Sequence, residues 1–144
     1  AWGVPQIPDR PAAILNGGAS PLPQMLRGIA ALKQAGAQAI AIACNTAHHW
    51  HDDLQREGGL PILHIADAVC DLLAERGITT GSIGLIGTEG TLQAGFFQQR
   101  FAARGLGCIV SSTSDRQKLV LPAIAAVKVN QLPLAHTLAV QAVL

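Results

Sequence analysis

Short apolar runs alternating with stretches of helical spacing constrain this chain more than any other feature. Residues 37–44, 61–65, 82–86 and 108–111 are apolar runs of strand length. Between and after them, residues 23–35, 46–57, 67–76, 88–103, 114–127 and 131–144 read as helices, and Gly36, Gly58-Gly59, Gly77 and Gly105 follow the first four. Pro122 is expected to kink or interrupt the fifth helix, and Pro133 to sit in the first turn of the last. Parallel strands need a crossover between them, most often a helix. The pattern therefore predicts an α/β fold, a parallel sheet with helices on both faces. Residues 1–22, dense in Pro and Gly, are expected to be loop, with Asp9-Arg10 inside it.

The chain has 144 residues, 49% of them apolar, enough for one ordinary domain or two small lobes. A net charge of +1, the absence of Tyr and 3% aromatic residues argue against a nucleic-acid partner. The longest uncharged stretch, residues 34–51, holds Asn45, His48, His49 and His51 and is too polar to span a bilayer, so no membrane partner is expected. Cys44, Cys70 and Cys108 are odd in number and widely spaced, which suits a reducing cytoplasm better than a disulfide framework. The opening residues do not read as a signal peptide. Both ends look cut, the first inside a Pro-rich segment and the last in an uncapped apolar stretch, so the chain is expected to be an internal piece of a longer protein.

Cys44 ends the apolar run Ala39-Ile40-Ala41-Ile42-Ala43 and precedes Asn45-Thr46-Ala47-His48. The carboxyl end of a strand is where α/β sheets bind ligands. Asn45 or Thr46 is expected to cap the following helix, whose N-terminus would favour thiolate over thiol at Cys44. The alternative for Cys44 is a buried, inert residue. Thr88-Glu89-Gly90-Thr91 follows the third strand; its small residues suit a small carboxylate, or a simple helix cap. His48, His49 and His51 share one helix, but no cysteine pair supports a metal site there, and none is expected. Arg10 and Lys118 suit either a substrate carboxylate or plain surface charge, while Cys70 and Cys108 read as core.

Pro5-Gln6-Ile7-Pro8-Asp9-Arg10, Ser20-Pro21, Cys44-Asn45-Thr46-Ala47-His48, Gly84-Leu85-Ile86-Gly87-Thr88-Glu89-Gly90-Thr91 and Gln117-Lys118 occur in that order. Together they resemble the aspartate/glutamate racemase family, and its aspartate racemase branch most closely. The resemblance implies two similar α/β lobes, parallel sheets flanked by helices, with the site in the cleft between them. Residues 1–66 would form part of the first lobe and residues 67–144 most of the second. It implies a homodimer acting on a small amino acid, without pyridoxal phosphate, metal or other cofactor. In the family, one cysteine thiolate removes the α-proton and a second thiol returns a proton to the opposite face. By this resemblance Cys44 is the first of that pair, Asn45, Thr46 and Thr88 hold the α-carboxylate, and Arg10 and Lys118 grip a side-chain carboxylate.

The Gly-Cys-Thr-Glu segment that carries the family's second cysteine does not occur in these residues, and neither Cys70 nor Cys108 has that setting. The 144 residues alone are therefore expected not to racemise. Other readings remain: a decarboxylase or cis–trans isomerase of small dicarboxylates using one cysteine, a non-catalytic carboxylate-binding domain, and a metal hydrolase built on the histidines.

Overall fold

The structure, a computed structural model, describes residues 6–143. The loop expected over residues 1–5 and the last residue of the final helix lie outside the described residues. In chain order the elements are α1 (Arg10–Leu15), α2 (Leu22–Gln34), β1 (Ile40–Ala41), a tight 3₁₀ turn (Thr46–Trp50) running into α3 (His51–Gly58), β2 (Ile62–Leu63) and α4 (Ile65–Glu75). Then come β3 (Ser82–Leu85), α5 (Glu89–Ala94), α6 (Phe96–Ala103), β4 (Gly107–Val110), α7 (Thr113–Asp115), a wide turn (Arg116–Val120), α8 (Leu121–Lys128) and α9 (Leu132–Gln141).

The strands form two separate parallel pairs among the described residues, not the one sheet that alternation alone suggests but the parallel sheets, flanked by helices, that the resemblance implies. β1 pairs with β2, Ile40 opposite Ile62. β3 pairs with β4, from Ser82 opposite Gly107 to Leu85 opposite Val110. Each pair is a strand–helix–strand unit, the arrangement that parallel pairing requires. The strands are shorter than the apolar runs that announced them. β1 finds partners only at Ile62 and Leu63, and Pro61, opposite its start, accepts from Ile40 N at 2.8 Å but has no N–H to return.

Each sheet has its own core. Met25, Ile29, Ile40, Ala47, Leu54 and Ile62 fill the first. Ala66, Cys70, Phe96, Phe97, Phe101 and Leu106 fill the second, with Ile83, Leu85 and Cys108 packed against it. α4 leaves the first sheet and packs on α6 in the second core. Apolar side chains past the fourth strand are less covered: Val127, Val129, Leu132 and Val143 are exposed. No helix among the described residues is long and apolar enough to cross a membrane.

Several boundaries differ from the sequence expectation, each for a local reason. The Pro-rich opening contains α1: Asp9 Oδ1 accepts from Ala12 N at 2.7 Å, and Pro11 fits the first helical turn. The helix expected over 88–103 breaks at Gly95, whose φ of 72° begins α6 afresh. Ser112 caps the segment after β4, ahead of the expected start at 114, accepting from Asp115 N at 3.1 Å. Pro122 has no N–H for the Lys118 carbonyl, and the chain widens into the Arg116–Val120 turn just before it. α4 begins at Ile65, two residues before the expected start, because His64 caps it, its Nδ1 accepting from Ala66 N at 3.1 Å.

Leu54 is fully buried at the centre of the first core. Leu54→Ala is expected to cost about 2–5 kcal/mol, read as a lowered urea midpoint with an unchanged slope.

Candidate active site

Cys44 lies three residues past β1, half-buried against the first core. The chain then turns sharply. His48 N bonds to Asn45 O at 3.0 Å, an i to i−3 contact, so no α-helical N–H reaches the Cys44 carbonyl. The His48 side chain supplies the missing donor: its Nδ1 lies 2.9 Å from Cys44 O. A carbonyl oxygen only accepts, so Nδ1 carries the proton. The His48 ring is thereby fixed to the thiol-bearing residue, with Nε2 buried and without a partner among the described residues.

The expected cap at Asn45 or Thr46 is not what forms. Asn45 is exposed, has helical φ and ψ, and caps nothing. Thr46 turns away from its own helix. Its Oγ1 lies 3.2 Å from Thr91 Oγ1, a buried contact between residues 45 positions apart. Thr91 Oγ1 lies 3.1 Å from Thr88 Oγ1, which also caps α5 by accepting from Thr91 N at 3.4 Å. A chain of three hydroxyls thus links the turn after β1 to the turn after β3. Gly90 makes the approach close: a Cβ there would stand 3.4 Å from both Pro11 Cα and Thr46 Cγ2.

The structure therefore brings the two turns singled out in the sequence to one place. α1, which begins with Arg10, packs against both α5 and the 3₁₀ turn. The Arg10 guanidinium is partly committed, Nη1 donating to Pro8 O at 3.1 Å. Lys118 is exposed on the wide turn after α7, and among the described residues no hydrogen bond or ion pair joins it to the threonines. Arg116 is the cation that reaches the second turn: its Nε lies 3.3 Å from Glu89 Oε2, and its Nη1 donates to Ser111 O. Sequence reading passed over Arg116; the run Asp115-Arg116-Gln117-Lys118 gives no sign of which cation turns inward.

Cys70 and Cys108 fall in the second core as expected, and burial pushes both thiols up. Cys70 Sγ donates to Arg100 O at 3.8 Å. Among the described residues no group of His, Cys, Asp and Glu is placed to hold a metal ion. A feature the sequence did not announce is the joining of His64 to His48 and His51, with ring centroids 5.2 and 4.6 Å apart. Burial, then the charges of Arg100 and His51, pull the His64 pKa down to about 4.

A profile described as Asp/Glu/Hydantoin racemase matches residues 1–143. The chain is 30% identical over 104 residues to the broad specificity amino-acid racemase RacX of Bacillus subtilis, covering 72% of this chain and 44% of that one. It is 42% identical over 77 residues to the glutamate racemase of Corynebacterium diphtheriae, half of this chain and 27% of that one. The structure of Picrophilus torridus aspartate racemase superposes with a TM-score of 0.78 at 24% identity, over 99% of this chain and 58% of that one, a likeness of fold. The chain thus spans less than half the length of the two curated relatives.

Two outcomes follow. Thr91, 3% exposed, is the middle hydroxyl, so the near-isosteric Thr91→Val leaves Thr46 without its partner; it is expected to cost about 1–3 kcal/mol in denaturant unfolding. His64 has a folded pKa near 4 against an ordinary 6.5, so the unfolded chain binds the proton more readily. Stability present above pH 6.5 is lost as pH falls toward 4. His64→Asn, which keeps a capping acceptor, is expected to flatten that slope in urea midpoints taken across the window.

Proposed function

The chain belongs to the Asp/Glu/Hydantoin racemase family, and on that premise we propose that it carries half of a cofactor-independent racemase site for an acidic amino acid, aspartate foremost. The observation that carries this reading is the meeting of Cys44-Asn45-Thr46 with Thr88 through the buried Thr46–Thr91 contact. In this reading residues 1–66 and 67–144 belong to two lobes, an arrangement supported by the two sheets and two cores. The substrate is a free amino acid lying between them, and the working protein is a cytoplasmic homodimer.

The chemistry asks for a base on one face of the α-carbon and an acid on the other. Cys44 as thiolate takes the α-proton and becomes the thiol. The electron pair left on the α-carbon delocalises into the α-carboxylate, and donors at that carboxylate stabilise the charge that develops there. Asn45, Thr46 and Thr88 are the groups assigned to it. Arg10 and Lys118 are assigned to the side-chain carboxylate, which requires Lys118 to swing inward and Arg10 to release Pro8. A proton returned from the opposite face, by an acid outside these residues, completes inversion. In the reverse direction Cys44 is the proton donor.

Cys44→Ser in the intact protein is expected to lower turnover by about 10²–10⁴-fold, since a serine hydroxyl is a far weaker acid than a thiol. The measurement is hydrogen–deuterium exchange at the substrate α-carbon in deuterated water, followed by proton NMR, beside the appearance of the opposite enantiomer. Exchange without inversion would leave the one-base half of the reading and remove the racemase. Binding without exchange would make the chain a carboxylate-binding domain. Normal turnover in Cys44→Ser overturns the assignment.

A further inference from the structure

A polar cavity of about 240 Å³ opens beside His48, between the start of α3 and the junction of α5 with α6. Its wall includes His48, His51, Asp52, His64, Gln99 and Arg100; Cys44 and the three linked threonines are not part of it. The hydrogen bonds set the tautomers. His48 holds its proton on Nδ1 for the Cys44 carbonyl, so the neutral ring offers Nε2 as a bare acceptor. That atom is buried and unpartnered among the described residues, in a residue only 2% exposed. His64 accepts on Nδ1 from Ala66 N, so its proton sits on Nε2. The wall thus combines an unfilled acceptor and the Asp52 carboxylate, whose Oδ1 lies 3.1 Å from His51 Nδ1 and whose other oxygen is left to accept, with a donor imidazole, the Gln99 amide and the Arg100 guanidinium.

A simple anion would meet Arg100 but stand against Asp52 and leave His48 Nε2 without a donor. A simple cation would fill His48 Nε2 but oppose Arg100. A ligand that carries both signs answers the whole wall. We propose that this cavity is a second binding site, separate from the thiol site, for a small free α-amino acid. Its ammonium donates to His48 Nε2 and Asp52, and its carboxylate accepts from Arg100 and Gln99. Arg100 is engaged with Asp67 through Nη1 at 3.3 Å, which leaves its other nitrogens to donate. Occupancy reaches Cys44 through one imidazole: a ring that accepts a charged donor on Nε2 becomes a stronger donor on Nδ1, and so holds the Cys44 carbonyl more firmly. The binding itself does not rest on the racemase reading; the link to Cys44 does.

The test is a titration of the intact protein with glycine, which carries the ammonium and carboxylate alone, followed by carbon–proton spectra of the histidine rings. His48 and His64 signals are expected to shift saturably. Asp52→Asn, at an exposed side chain, and Arg100→Gln, at a partly exposed one, are each expected to weaken that titration about tenfold or more. Cys44→Ser is expected to leave it intact, even where α-proton exchange is lost. Ring signals that do not respond mean a cavity filled only by water, and overturn the proposal. Acetate titrating as well as glycine makes the cavity an anion site and overturns it too, as does unchanged binding in both variants.

Discussion

The buried hydroxyl contact between Thr46 and Thr91 is the constraint on which the site depends. The two sheets are small, each a single parallel pair, and each has a core of its own. What places the turn after β1 against the turn after β3 is this contact together with the close packing at Gly90. The arrangement costs the first turn its cap. Thr46 gives its hydroxyl to the other half of the chain, and the backbone answers with a tight turn in place of an α-helical start. That tightening strips the Cys44 carbonyl of its usual helical donor, and His48 fills the gap. The orientation of His48 is thus a downstream effect of a contact made by its neighbour two residues earlier.

Family membership and local geometry carry different loads. The match over residues 1–143 makes the chain a member of a racemase family. The geometry adds which polar groups of the two turns actually meet. Thr46, Thr88 and Thr91 meet directly; Arg10 stands close by on α1 with its guanidinium turned to its own backbone; Asn45 and Lys118 stand in solvent. A substrate with two carboxylates would give the distant cations a reason to turn inward, because a carboxylate offers each a charged partner.

Much of the fold was legible because strand–helix alternation and glycine stops are local signals. The four strands and the helix ends at Gly36, Gly59 and Gly77 lie where those signals put them. α1 was hidden because proline density reads as loop unless Asp9 is seen as a cap and Pro11 as a first-turn residue. The break at Gly95 was hidden because a glycine inside a helical pattern is tolerated as often as it interrupts. The site was half legible. Cys44 at a strand end and the Thr88 turn announce themselves by position, whereas the choice of Thr91 as partner to Thr46 is tertiary and leaves no trace in spacing. The same holds for His64, which joins His48 and His51 from another segment and caps α4 as well.

Three hydroxyls in a row have a property that three separate ones lack. Each owns a single hydrogen, so Thr91 can donate toward Thr46 or toward Thr88 but not toward both. Thr88 Oγ1 already accepts from Thr91 N. An anion that draws the Thr88 hydrogen outward invites Thr91 to donate toward Thr88, and Thr46 in turn toward Thr91. Polarity at the turn after β3 is then written into rotor settings at the turn after β1, with no backbone atom having to move.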